Sequence, residues 1–318
     1  MGSVSLGSIA MGGLAVGFLA VGAAAIAGLR GTPASLAGED PALSVAVSIP
    51  PQAWLVRRIA GTRVGVTTML PAGNDPHAYQ PADVQVSRAM RSAIYFRIGV
   101  PFEEGRWFRS IARSGRTQVV DLREGIPLRP TRGDAAKPDS AGHEHEYEHE
   151  HEHAFGLDPH IWLSPPLLKR QAATIADALQ KADSEGVAVY RRGLASLLES
   201  LDVLDRSLRT KLKAHKGRTF LVFHPTWGYF AREYGLRQVA IEREGKEPSD
   251  HRITELRRLA IAEGIGVVFV QPQIKSRAAR AIAASIGGRV HTLDPLAEDV
   301  AASLLELADA IAASYGND

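Results

Sequence analysis

Two triplets in this chain read Asp-Pro-His and end at His77 and His160; a third histidine, His224, is followed directly by Pro225, and Asp294 likewise precedes Pro295. Imidazole nitrogens and carboxylate oxygens are ligands for divalent transition metals. Three imidazoles with one carboxylate make a tetrahedral set that suits Zn²⁺. Proline fixes its own φ and restricts the residue before it, so such loops can hold a side chain with little entropy left to lose. Four protein ligands leave no open position for a catalytic water, which favours binding a metal over hydrolysis with it. His215, His251 and His291 lack this setting and read as structural residues. Asp294 has a second reading, because Asp-Pro at a strand end is also an ordinary turn or helix-capping device.

Residues 143–153 read HEHEYEHEHEH, five histidines and five glutamates around Tyr147. No hydrophobic core can be built from them. His143, His145, His149, His151 and His153 form a secondary, loose metal-binding loop, since each His-x-His pair can chelate; a merely solvated polyampholyte is the alternative. Both His145–His149 and His149–His153 match HExxH. The zinc-protease mechanism needs that motif on a buried amphipathic helix with a third ligand beyond it. Here simple alternation produces the match in a segment without an apolar face, and no protease is read from it.

The elements that must position these residues alternate in a βα rhythm. Strands are expected over 43–49, 64–70, 93–99 and 117–122. Helices are expected from Pro50, with Trp54, Leu55 and Ile59 on one side, and over 81–90 and 102–113. Residues 123–156 break the rhythm with Pro, Gly, Lys, Asp and the His/Glu run, and are expected to be disordered without metal. Helices follow over 165–182 and 187–214, the second with a leucine stripe at helical spacing that reads as core-facing. The rhythm resumes with strands over 218–223, 238–241, 266–270 and 289–293. Helices are expected over 228–234, 254–263, 276–286 and 298–314. This pattern predicts an α/β protein with parallel sheets. His77, His224 and Asp294 fall just beyond strands, where open α/β sheets bind ligands.

The 318 residues are 45% hydrophobic and 23% charged, as expected of a globular chain, and the net charge of +2 gives no case for nucleic acid. There is no cysteine. That excludes disulfides, thiolate metal sites, iron–sulfur clusters and a lipoprotein anchor. Residues 9–29 are 21 residues without a charge, and Ser35-Leu36-Ala37 has the small-x-small pattern of a signal-peptidase site. Residues 1–37 therefore read as an export signal. The run is also long enough to span a bilayer, so an uncleaved anchor is the alternative. Both readings place the body of the protein outside the cytoplasm.

Taken in order, NDPHAYQP, LDPHIWLSP, FLVFHPTWGYFAREYGL, EREGKEPS, VFVQPQ and LDPLAED run collinearly through the chain. This set resembles the metal-binding solute-binding proteins of bacterial ABC importers, the ZnuA-like zinc/manganese class, from about Leu43 to Ser314. The resemblance implies two α/β lobes joined by a long rigid helix, with one metal in the interlobe cleft. The division would be an N-terminal lobe over 38–164, a linking helix over 165–183 and a C-terminal lobe over 184–318. It implies His77, His160 and His224 as ligands and Asp294 as the fourth. Manganese-preferring relatives tend to carry a carboxylate at the position of His224, so histidine there, with the His-rich loop, points to Zn²⁺ rather than Mn²⁺. The cysteine pair of some zinc members is absent.

The expected function is capture of Zn²⁺ outside the cytoplasm and delivery to an ABC transporter permease by a monomeric, non-enzymatic protein. No GxxxxGK[ST] is present, so ATP hydrolysis would belong to a separate subunit. The periplasm is the expected location. The alternatives are a secreted zinc chaperone or buffer acting through the His-rich loop, and a zinc hydrolase.

Overall fold

The computed structural model describes residues 41–130, 156–243, 245–274 and 277–315. The export segment and the His/Glu run lie outside these described residues. The first sheet has four parallel strands in the order β2-β1-β3-β4, formed by Leu43–Val47 (β1), Val64–Thr68 (β2), Ile94–Arg97 (β3) and Gln118–Asp121 (β4). The second repeats the plan as β6-β5-β7-β8, with Thr219–Val222 (β5), Arg237–Ala240 (β6), Val267–Val270 (β7) and Arg289–Thr292 (β8). Each order reverses beside its first strand, and that switch point leaves a crevice at the carboxyl ends of the strands.

The helices, in chain order, are Pro50–Ala60 (α1), Asp83–Ala89 (α2), Arg106–Arg113 (α3), Pro165–Ala182 (α4), Val187–Leu212 (α5), Gly228–Tyr234 (α6), Asp250–Ala262 (α7), Arg277–Ser285 (α8) and Val300–Ser314 (α9). Two differ from the sequence expectation by more than two residues. The stretch 102–113 is split: a 3₁₀ turn, Pro101–Glu104, precedes α3, because Glu103 turns inward to accept the backbone N–H groups of Ile98 and Gly99 at 2.9 and 2.8 Å. Helix α7 begins four residues before the expected Thr254, because the Ser249 hydroxyl caps it by accepting from the Arg252 N–H.

The second sheet separates two apolar layers. Phe220 and Val222 of β5 face one cluster, and Leu221 and Phe223 face the other with Leu256 and Ile282 of α7 and α8. The larger cluster is shared by both lobes and includes Trp54, Trp162, Trp227 and Leu304. Its axis is α5, whose Leu197, Leu201, Leu204, Leu208 and Leu212 are buried. This helix packs on α1 and α4 on one side and on α6 and α9 on the other. The chain thus crosses between lobes through α4 and then α5, and α5 itself touches helices of both. The Trp162 indole N–H donates to the Pro295 carbonyl at 2.7 Å, and Arg57 pairs with Glu298, which adds polar ties across the same junction.

Residues 123–130, at the start of the expected irregular stretch, are tied down. Ile126 is buried, Pro130 bridges to Leu157, and the Asp158 N–H donates to the Arg129 carbonyl at 2.7 Å.

Helix α5 meets α1 at Gly193, where an added Cβ would stand 2.0 Å from the Ile59 carbonyl oxygen. In an exposed helix Gly→Ala stabilises by up to about 1 kcal/mol. Here Gly193→Ala is expected to destabilise by about 2–3 kcal/mol through overpacking. Urea unfolding checks the sign.

Candidate metal centre

One turn is used three times. In Asp75-Pro76-His77 the Asp75 Oδ1 accepts the His77 backbone N–H at 2.9 Å. In Asp158-Pro159-His160 the Asp158 Oδ1 accepts the His160 N–H at 3.0 Å, and in Asp294-Pro295-Leu296 the Asp294 Oδ1 accepts the Leu296 N–H at 3.0 Å. These are Asx turns, in which the carboxylate bonds its own backbone two residues on and proline presets the corner. In each, the third residue borders one cavity of about 240 Å³. The device therefore delivers His77, His160 and Leu296 to the same space from three loops.

The fourth contributor, His224, arrives by strand register. Strands β5 and β6 pair in parallel with Val222 opposite Ala240, so two further residues along the ladder His224 stands beside Glu242. The Glu242 N–H donates to the Phe223 carbonyl at 3.1 Å, which continues the ladder to that point. The His224 Nδ1 is 2.5 Å from the Glu242 carboxylate, and that residue is only 7% exposed. His160 is held in the same manner by its own triplet: Nδ1 lies 2.7 Å from Asp158 Oδ1. An ionised carboxylate only accepts, so Nδ1 carries the proton in both rings, and in the neutral ring Nε2 presents its lone pair. This is the carboxylate–histidine arrangement that orients metal-ligating imidazoles.

The three rings gather at the cavity. The His77 and His224 centroids are 5.1 Å apart, and those of His160 and His224 are 5.8 Å apart. Two imidazoles on one tetrahedral zinc, at Zn–N of about 2.0–2.1 Å, hold their centroids about 5 Å apart. The first pair has that spacing and the second is wider. Among the described residues no three metal-ligating side chains form a closed cage as they stand.

His77 retains solvent access on one side. Loss of solvent around its ring, then the neighbouring His224, lower its pKa below the ordinary 6.5; His160 adds to the effect, while Asp75 and Glu242 oppose it. It is the neutral form, the one able to bind a metal, that is favoured.

Asp294 differs from the other sequence-derived candidates. Pro295 and Leu296 border the cavity and Asp294 does not; its Oδ1 also accepts at 3.0 Å from the side-chain amide of Gln273, which does border it. His215 stacks on Tyr315, His251 sits on exposed helix beside Glu255, and His291 packs against Phe269, all away from the cavity. The sequence reading missed Asp158 and Glu242 as partners of the histidines. It also missed Glu103, whose buried carboxylate holds the Ile98–Gly99 backbone behind the cavity wall; burial raises its pKa, and its bonds from Ser48, Ile98 and Gly99 oppose that rise. Asp158 was legible in the repeated triplet. Glu242 depended on a register that no local pattern announces.

Two parallel α/β lobes sharing a core, with three imidazoles brought to one cavity, two of them from beyond strand ends and one from the loop before α4, define a solute-binding receptor with a metal as its solute. Residues 45–314 match the family model described as "Zinc-uptake complex component A periplasmic", and the chain belongs to that family. It is a metal-binding receptor of ABC import that works outside the cytoplasm, in a family of receptors and not of enzymes. It is 28% identical over 277 residues to the high-affinity zinc uptake system protein ZnuA of Bacillus subtilis (strain 168), covering 86% of this chain and 84% of that one. A crystal structure of ZnuA superposes with a TM-score of 0.76 at 36% identity, covering 87% of this chain and 100% of the other. A ZnuA deletion mutant with zinc bound gives 0.75, also at 36% identity, over 88% of this chain and 100% of the other.

Nuclear magnetic resonance of the metal-free protein is expected to find His160 and His224 as Nδ1–H tautomers and His77 titrating below 6.5. The sign for stability follows from the lowered value. As pH falls below 6.5, the unfolded chain takes up a proton that folded His77 refuses, so this residue's contribution is lost towards acid pH. His77→Gln is expected to flatten the stability profile in that window.

Proposed function

We propose that this protein captures Zn²⁺ outside the cytoplasm and delivers it to an ABC transporter permease whose ATPase is a separate subunit. His77, His160 and His224 are the ligands in this proposal. The observation that carries it is the pairing of His160 and His224 with the buried carboxylates of Asp158 and Glu242 at one cavity. A carboxylate behind Nδ1 fixes the ring and raises the basicity of Nε2, which would be wasted on a histidine that binds nothing. Three imidazoles favour zinc over manganese, which prefers more oxygen ligands. Asp294 is the fourth ligand in this reading and would reach the metal by giving up its bond to Gln273. Residues 143–153 act as a secondary, weaker collector. The relatives named for zinc uptake support the choice of solute, and the family's periplasmic setting supports the location.

A metal binds only the deprotonated imidazole, so zinc affinity falls towards acid pH. Competitive zinc titration of the chain lacking residues 143–153 tests the proposal. One tight site is expected. Glu242→Gln should weaken it by about 10–100-fold, leaving the fold intact, and His160→Ala should weaken it further. Retention of tight binding in His160→Ala, or its complete loss on removing residues 143–153 alone, contradicts the proposal; the second result favours a buffer acting through the His-rich run.

A further inference from the structure

The outer face of the first lobe is strongly basic. Helix α1 covers one face of the first sheet and packs against α4 and α5. The right-handed crossovers β2-α2-β3 and β3-α3-β4 place α2 and α3 side by side on the opposite face, where they touch each other. Their solvent side carries Arg88 and Arg91 after α2, and Arg106, Arg109, Arg113 and Arg116 along and beyond α3, all exposed. The spacing of Arg106, Arg109 and Arg113 at i, i+3 and i+7 keeps them on one helical stripe. Among the described residues none of the six has an ion pair to a carboxylate, although Arg109 donates to the Glu104 carbonyl at 3.3 Å. Some exposed arginines elsewhere are paired, as in Arg209 with Asp205 and Arg237 with Glu263; others, Arg257, Arg258 and Arg289 among them, have no ion pair among the described residues. Residues 83–116, from the start of α2, hold seven arginines, one aspartate and two glutamates, a net +4; the whole chain carries +2, so the remainder sums to −2. The charge is thus segregated onto one face. Val84, 56% exposed and one of three exposed large hydrophobics among the described residues, sits on the same side of α2, one turn before Arg88.

We propose that this α2–α3 face docks on an anionic phospholipid membrane. Guanidinium groups bind phosphate oxygens in a bidentate fork, and a cluster of them is drawn to the negative surface potential of acidic lipids. An exposed valine among the arginines supplies the apolar contact that an interfacial helix makes below the headgroups. An extracytoplasmic receptor works beside a membrane, and these 318 residues contain no cysteine on which a thioether-linked lipid could be built. The face lies apart from the metal cavity, so the proposal stands whether or not zinc is the solute.

Co-sedimentation of the full chain with vesicles tests it. The probes are mixed phosphatidylglycerol/phosphatidylcholine vesicles and pure phosphatidylcholine vesicles, each at low and high salt. Binding is expected on the mixed vesicles above that on phosphatidylcholine, and the excess is expected to be lost at high salt. Arg106→Gln/Arg109→Gln/Arg113→Gln should lower the partition coefficient on mixed vesicles on the order of a hundredfold, about fivefold per arginine. Arg257→Gln/Arg258→Gln/Arg289→Gln, which removes the same charge from exposed positions of the second lobe, should lower it far less. The N-terminal apolar run would bind both vesicle types alike, so the excess reads the basic face. Equal binding to both vesicle types, no binding to either, or equal losses in the two triple variants would overturn the proposal. An unchanged thermal melt of the face variant confirms that a loss is not unfolding.

Discussion

The structure depends on one continuous apolar core that does not stop at the lobe boundary. Phe220 and Val222 of the second sheet, Trp54 of the first lobe and Trp162 of the loop that carries His160 belong to the same cluster. The leucine stripe of Val187–Leu212 runs through it. Interiors packed to crystal-like density deform little, so two lobes that share such an interior are held at a nearly fixed separation. The cleft between their sheets is then a cavity of set dimensions. Imidazoles placed on its walls stand close together, His77 and His224 at the spacing of two zinc ligands and His160 slightly further off.

On this frame, two unlike devices place the ligands. The Asp-Pro-X turn is local: three consecutive residues and one Asx hydrogen bond set the direction of His77 and His160. The register of β5 and β6 is long-range and sets His224 against Glu242 across a parallel ladder. The two devices differ in stiffness. His160 and His224 are each backed by a buried carboxylate, while His77 stands in the exposed loop that follows β2. The site is therefore stiffer on the side of His160 and His224 than on that of His77.

Much of this was legible in the sequence, for identifiable reasons. Pro165–Ala182 and Gly228–Tyr234 fell at their expected bounds because the first opens on Pro-Pro and the second closes on Gly235, which adopts a left-handed φ of 68°. Most strands were read one to three residues too long, and Arg237–Ala240 was read one residue late, because strand ends are set by ladder partners. The 3₁₀ break at Gly105 was invisible, because it answers to a buried Glu103 whose hydrogen bonds go to the far end of β3. The three histidines were legible from their prolines. The carboxylates behind two of them were not, since Glu242 is eighteen positions from His224 and only the sheet brings them together. Asp294 shares its turn with Asp75 and Asp158, so the same motif that flagged it as a ligand also accounts for it as a turn residue.

The most direct measurement is X-ray absorption at the zinc edge on the one-to-one complex of the chain lacking residues 143–153. The account predicts a four-coordinate centre with three imidazole nitrogens at about 2.0–2.1 Å. A spectrum with one imidazole or none, or a six-coordinate shell of oxygens, would contradict the claim that His77, His160 and His224 together hold the metal.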